Sequence, residues 1–213
     1  MRILHVTPTY LPATRYGGPI YSVHNLCSSL VDIGHDVHVF TTSVDGDSDS
    51  NVPYGQPVAL DGVQVWYFPS RALRRLYYSP AMYEELKANA GEFDIIHGHS
   101  VYLWPTWAAR RIADIYGVPY MLSPRGMLVK ELVRRKSRWI KMVWLQLIEK
   151  RNIESAAGVH VTSSTEAAAL KEFNFKVSHL YTVPNSVPVP VTYDTPALSE
   201  DVKKVVEDGP YTL

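Results

Sequence analysis

Four short stretches of the chain combine residue types that do chemistry. The first is Thr9–Gly18, where Gly17-Gly18 stands directly before Pro19. Paired glycines let backbone approach a ligand closely, and a helix opening there would offer free N–H groups and a positive dipole end. The stretch reads either as an anion or phosphate subsite with Arg15 as a nearby clamp, or as a plain Gly-Gly turn entering a helix. The second is His97-Gly98-His99-Ser100. Histidines two apart share one face of a strand. They fit hydrogen bonding to a ligand's hydroxyl groups, or a polar strand end capping the next helix; metal ligation lacks clear third and fourth ligands, and no metal is expected. The third is Ser123-Pro124-Arg125-Gly126-Met127, in which Arg125 offers a fixed charge and a planar fork for phosphate or carboxylate, or is a surface arginine in a turn. The fourth is Arg134–Ala157, whose Ile140, Val143, Trp144, Leu147 and Ile148 fall at helical spacing behind a basic start, with Trp139, Met142 and Leu145 widening the stripe. Such a segment lies on anionic membrane, or docks its stripe on a sheet and solvates its charges.

Several reactions are excluded. The chain has neither GxGxxG nor GxxxxGK[ST], so a dinucleotide oxidoreductase or P-loop NTPase is unsupported, and no GxSxG elbow or carboxylate pair stands out. Cys27 is the single cysteine of 213 residues, which removes an intrachain disulfide framework and any CxxC motif. Lys+Arg and Asp+Glu are both 21, a balance that lacks the basic footprint of a nucleic-acid binder. The zero is an average. Residues 41–70 hold Asp45, Asp47, Asp49 and Asp61 without a Lys or Arg, whereas residues 130–151 hold eight Lys/Arg against two Glu, a net +6. No uninterrupted apolar run exceeds four residues, and MRILHVTPTYLP lacks the long apolar region of a signal peptide, so a cytoplasmic α/β protein is the expectation.

The elements that must position these residues alternate. Strands are expected at Arg2–Thr7, Asp36–Thr42, Val63–Phe68, Asp94–His99, Pro119–Ser123, Gly158–Ser163 and His179–Val183. Helices are expected after Pro19, at Pro80–Ala90, at Trp104–Tyr116, across Arg134–Ala157 and at Glu166–Phe173, with Asp45–Asp61 as an exposed loop. Alternation with buried-looking strands predicts a Rossmann-like, doubly wound, mainly parallel sheet with helices on both faces. Pro184, Pro188, Pro190 and Pro196 have the composition of a linker, and a short helix at Leu198–Glu207 and a strand start at Tyr211–Leu213 then give the look of a truncated second domain. The division is therefore 1–187 as one domain and 188–213 as linker and beginning of another.

Taken in order, these motifs resemble the N-terminal half of family 4 glycosyltransferases, which have the GT-B fold of two facing Rossmann-like domains. MRILHVTPTYLP with Gly17-Gly18 is similar to their first strand and glycine loop, followed by Gly34-His35-Asp36-Val37-His38-Val39. FDIIHGHS resembles the family's Asp-x-x-His-x-His segment, AAGVHVTSSTEAAAL the strand and helix before the interdomain region, and YTVPNSV the Pro-Asn-Gly-Val segment leading into the second domain.

The resemblance implies retaining transfer of a sugar from a nucleotide-sugar donor, without a metal or other cofactor, to an acceptor such as a lipid-linked saccharide in bacterial polysaccharide or cell-envelope assembly. Gly17 and Gly18 would approach the donor phosphates. Arg15, His97, His99, Ser100, Arg125 and Gly126 would line the cleft on the acceptor side, and residues 130–151 would touch anionic membrane on its inner face. The family's Glu-x7-Glu element belongs to a second domain that is not in this sequence, so the isolated chain is expected to be inactive. Where many members place a histidine after the fifth strand, this chain has Ser123-Pro124-Arg125-Gly126, so no catalytic residue is carried over; Ser186 replaces the usual glycine of Pro-Asn-Gly. Two other readings stand beside the enzyme: a non-catalytic carbohydrate- or nucleotide-binding module, and a GT-B sugar-nucleotide epimerase.

Overall fold

The computed structural model describes residues 1–128 and 143–185. Its centre is β1 (Arg2–Val6), flanked on one side by β2 (Asp36–Thr42) and on the other by a later strand, Ile95–His99. Between β1 and β2 runs α1 (Gly18–Asp32), whose Ile20, Val23 and Cys27 are buried and whose end is the Gly34 turn at φ 88°. After β2 the chain forms a small antiparallel pair, β3 (Val44–Asp45) and β4 (Ser48–Asp49), then β5 (Val58–Leu60) and β6 (Val63–Phe68). The next elements are α2 (Pro80–Asn89), β7 (Ile95–His99), α3 (Trp104–Tyr116) and β8 (Tyr120–Ser123). A helical stretch ending in α4 (Lys150–Glu154), then β9 (Gly158–Val161), α5 (Ser164–Lys171) and β10 (Leu180–Thr182) complete the described part.

The eight-stranded sheet has the order β10-β9-β8-β7-β1-β2-β6-β5, parallel except for the β5–β6 pair at one edge. Order reversal at β1 follows from two crossovers of opposite direction, and the right-handed rule then puts α1 on one face and α2 and α3 on the other. The cores agree. Leu4 and Val6 pack with Met82, Leu86, Ala109, Ile112, Ile153 and Leu170, whereas Val37, Val39, Val63 and Val65 pack with Val23 and Cys27. The Rossmann-like, doubly wound α/β fold expected from the alternation is the one observed.

Two expectations change. The acidic stretch 45–61 is not a plain loop. Asp61-Gly62, both at positive φ (47° and 80°), make the two-residue turn that pairs Leu60 with Val63, the Asp-Gly hairpin signal. The β3–β4 turn is pinned by the Arg74 guanidinium, which donates to Asp49 Oδ1 at 2.7 Å and to the Gly46 carbonyl at 3.3 Å.

The long helix also departs from its expected stripe. Its described part begins at Val143 and contains a π turn at Leu145–Glu149 before α4. Leu145, Glu149, Asn152 and Ile153 are buried, a helical stripe one position on from the expected one, while Val143 and Leu147 are 54% and 72% exposed. The stripe residues Trp139, Ile140 and Met142, the basic start of that helix, and residues 186–213 lie outside the described residues. Among the described residues no helix is long and apolar enough to cross a membrane.

Candidate functional site

Parallel strands deliver their ends, and the loops that follow, to one edge of the sheet. At that edge β1, β7, β8 and β9 bring four histidines and a serine together. The register sets His5 opposite His97 and His99 opposite Ser123. Strand alternation turns His5, His97 and His99 toward the face that carries α1, because Leu4 and Val6 occupy the other. Nothing in the spacing of His5 or His160 singles them out in sequence; only the strand register joins them to His97 and His99.

The hydrogen bonds fix the tautomers. The Arg125 guanidinium can only donate, and its Nε and Nη2 lie 3.4 and 3.3 Å from His99 Nδ1. Neutral His99 therefore carries its proton on Nε2 and donates it to His5 Nδ1 at 2.9 Å. His5 in turn keeps its proton on Nε2, a buried N–H without a partner among the described residues. A parallel line starts at the Val183 carbonyl, which accepts from His160 Nε2 at 2.9 Å. Ser123 then donates to His160 Nδ1 at 2.8 Å and accepts from His97 Nε2 at 2.7 Å.

Burial keeps these rings neutral. It pushes the His5 pKa down to about 3, reinforced by the Arg125 charge and by His160. His97 and His99 are lowered well below the usual histidine value, again by burial first and then by their histidine neighbours and Arg125. One ring nitrogen from each of His5, His97 and His99 lies within 4.8 Å of the others, so His5 brings the third ligand that the sequence pair lacked. A cation there would have to break the His5–His99 hydrogen bond and sit beside the Arg125 guanidinium. The cluster is therefore a hydrogen-bonded support, in which His97 and His99 are buried (6% and 1% exposed).

What they support is Arg125. It sits at φ 54°, followed by Gly126 at φ 74°, in a turn closed by the Met127 N–H donating to the Pro124 carbonyl at 3.2 Å. The Gly126 N–H donates to Glu166 Oε1 at 2.6 Å, and the other oxygen of that carboxylate accepts from Thr162 N–H at 2.7 Å and its hydroxyl at 2.9 Å. Glu166 thus ties the start of α5 to the Arg125 turn. Ser163 caps that helix by accepting from the Glu166 N–H, so a Ser-x-x-Glu signature was present in the sequence while its long-range tie was not. Burial lowers the Arg125 pKa and the Glu166 carboxylate opposes the shift. Its Nη1 donates to Asn185 Oδ1 at 2.7 Å.

The guanidinium faces a pocket of about 300 Å³ lined by Gly18, Pro19, Ser22, Arg125, Gly126, Thr162 and Asn185. Its opposite wall is the N-terminus of α1. Gly17 at φ 64° occupies the cap position, and among the described residues no side chain caps the helix and no acidic residue stands in its first turn, so none of them answers the dipole's positive end. A Cβ at Gly18 would enter open space. Gly18, Arg125 and Gly126 therefore meet in one pocket, with Gly17 at its helix cap. Arg15 points elsewhere: its N–H donates to Asp45 at 3.4 Å and its guanidinium stands 4.0 Å from Asp47, so it serves the acidic hairpin. Ser100, at φ 77°, begins the loop to α3 with its N–H on the Ser123 carbonyl at 2.8 Å. Ser22, Thr162, Glu166 and Asn185 join the site without having been singled out.

The arrangement suits an anion: a helix N-terminus, a half-buried and aimed arginine, and hydroxyl and amide groups between them. The same fold occurs in sucrose-phosphate synthase from Thermosynechococcus elongatus (TM-score 0.58, 19% identity, 86% of this chain and 48% of that one). It occurs also in Anabaena HepE, solved in complex with UDP and glucose (TM-score 0.56, 14% identity, 88% of this chain and 45% of that one). The chain thus spans about half the length of these relatives. No curated protein sequence matches it. Residues 17–186, which run from the α1 cap past Asn185, match the glycosyl transferase 4-like domain, and the chain belongs to that family.

Proposed function

We propose that the chain is one half of a retaining glycosyltransferase and forms the wall against which the diphosphate of a nucleotide sugar rests. The observation that carries this reading is the shared pocket of the α1 N-terminus and Arg125. A diphosphate leaving group gains negative charge as the glycosidic bond to it breaks, and preorganised N–H groups and a guanidinium stabilise that charge without reorganising. Gly18 keeps the wall free of side chain. His5 and His99 hold Arg125 from below, and Glu166 holds its turn. HepE, with the same fold, was solved with UDP and with UDP-glucose, which supports a nucleotide diphosphate as the ligand class.

The wider reading goes with it. Residues 1–187 form the acceptor-side domain and 188–213 lead into a donor-binding domain; the transfer needs no metal or other cofactor. The acceptor is a saccharide, lipid-linked in polysaccharide or cell-envelope assembly, met by a cytoplasmic protein resting on the inner membrane face through residues 130–151.

The test is a transfer and binding assay on the whole protein. Gly18→Val should still fold, because its Cβ meets nothing, yet lose sugar transfer and weaken UDP binding. Arg125→Ala should weaken UDP roughly ten- to a hundred-fold, the worth of a charge-assisted hydrogen bond. Unchanged turnover in Gly18→Val would overturn the assignment.

A further inference from the structure

A second concavity opens at the same edge of the sheet, on the other face. β7 runs up to this edge at His99, so α2, which leads into β7, starts there, and α3, which leaves β7, starts there too. Between the two helix starts lies a pocket of about 300 Å³ lined by Tyr78, Pro80, Tyr83, Glu84, Trp104 and Trp107. Trp104 is its hub. Tyr78 meets it edge-on at 5.2 Å, Tyr83 lies at 6.3 Å and Trp107 at 6.4 Å between ring centroids. Arg111, one turn further along α3, stands over the Trp107 ring at 5.9 Å. All four aromatic residues are only partly buried, although each belongs to a type that cores readily absorb.

The chemistry of the lining narrows the occupant. Its one charged group is the exposed carboxylate of Glu84, 3.5 Å from the Lys87 ammonium on the same helix. A phosphate or other anion would meet that carboxylate unfavourably. A wholly apolar occupant, such as an acyl chain or a helix face, would strip Glu84 of water without giving it a donor. A pyranose satisfies both demands: its C–H faces lie on aromatic rings, and its hydroxyl groups donate to a carboxylate at the rim.

The pocket is tied to the Arg125 site by a short rigid connection. Between His99 and Trp104, Ser100 and Tyr102 take positive φ (77° and 63°). The Tyr102 N–H donates to Glu149 Oε1 at 2.7 Å, and that buried carboxylate also accepts from Trp144 Nε1 at 2.8 Å and Asn152 Nδ2 at 3.1 Å. The buried Glu149 carboxylate therefore holds the backbone of the segment that joins His99 to Trp104. We propose that the Tyr78–Tyr83–Trp104–Trp107 pocket binds an uncharged sugar residue, and, on the glycosyltransferase reading above, that this residue belongs to the acceptor saccharide.

The experiment is a titration of the whole protein, without nucleotide, with methyl β-glucoside, maltose and cellobiose, followed by tryptophan fluorescence. A saturable change with at least one sugar is expected. Trp107→Ala and, on an exposed residue that leaves the fold intact, Glu84→Ala should each weaken it by roughly ten-fold. Arg125→Ala should leave sugar binding unchanged while it weakens UDP. Absence of a saturable change with all three sugars, or binding indifferent to both Glu84→Ala and Trp107→Ala, overturns the proposal. So does a response to vesicles of anionic phospholipid without one to sugar, which would assign the aromatic face to a membrane. Loss of sugar binding with UDP binding intact removes this inference alone; sugar binding with no UDP binding removes the diphosphate site instead.

Discussion

Arg125 derives its use from the residues that hold it in place. A guanidinium on a surface turn samples many rotamers and is worth little as a fixed charge. Here His99 presents Nδ1 from beneath, Asn185 accepts from the side, and Glu166 fixes the backbone of the next residue. The second line of the support is equally specific, because Ser123 both accepts from His97 and donates to His160. Replacing Ser123 with alanine leaves a buried N–H and a buried ring nitrogen without partners. The expected loss is about 1–3 kcal/mol in urea denaturation, the desolvation cost of an unmade buried hydrogen bond. A loss within experimental error would show that the two histidines find other partners, and the tautomer assignment would fall with it.

At the scale of elements, the His-Gly-His strand shows why its middle residue is glycine. Gly98 faces the side opposite the histidines, where a Cβ would overlap the Tyr120 hydroxyl and lie 3.0 Å from its Cζ. Tyr120 is itself buried in the α3-side core, its hydroxyl donating to the Thr106 carbonyl at 3.4 Å. Gly98→Ala should therefore destabilise by about 1–3 kcal/mol through overpacking, and Tyr120→Phe in the same chain should recover part of it. Additive losses in the double variant would place the strain elsewhere. The lower part of the long helix makes a related point. Its apolar residues were legible, but the buried stripe is Leu145, Glu149, Asn152 and Ile153, one position on from the expected one, which turns Glu149 inward and leaves Leu147 outside. Spacing gives the period of a helical stripe, and packing against the rest of the domain selects its phase.

The whole molecule carries a pH dependence that no single element shows. His5, His97 and His99 bind protons in the unfolded chain near pH 6.5 but not in the folded one, where His5 is pushed down to about 3. Below pH 6.5 the unfolded state therefore holds more protons, and stability falls as pH falls. Each histidine that stays neutral removes up to about 1.4 kcal/mol per pH unit. Urea midpoints should be constant between about pH 7 and 8 and decline between about pH 6.5 and 5, before carboxylates titrate. A flat profile over that window would mean that the cluster admits protons without opening.

Much of this was already in the sequence. Strand–helix alternation and Gly17-Gly18 before Pro19 sufficed for the doubly wound fold, because short-range periodicity and turn chemistry encode it locally, while the family was legible only as a resemblance carried by the order of the motifs. Even the β5–β6 hairpin had its Asp61-Gly62 signal. Tertiary structure decided which of the candidate residues meet. Arg15, nearest in sequence to the glycines, went to the acidic hairpin; Arg125, more than a hundred residues away, joined Gly18. His5 and His160 entered through strand register, and Glu166 and Asn185 through loops that converge at one sheet edge. Those pairings depend on which strands lie side by side, and side-by-side order in a parallel sheet is set by crossovers and packing across the whole domain rather than by any local run of residues.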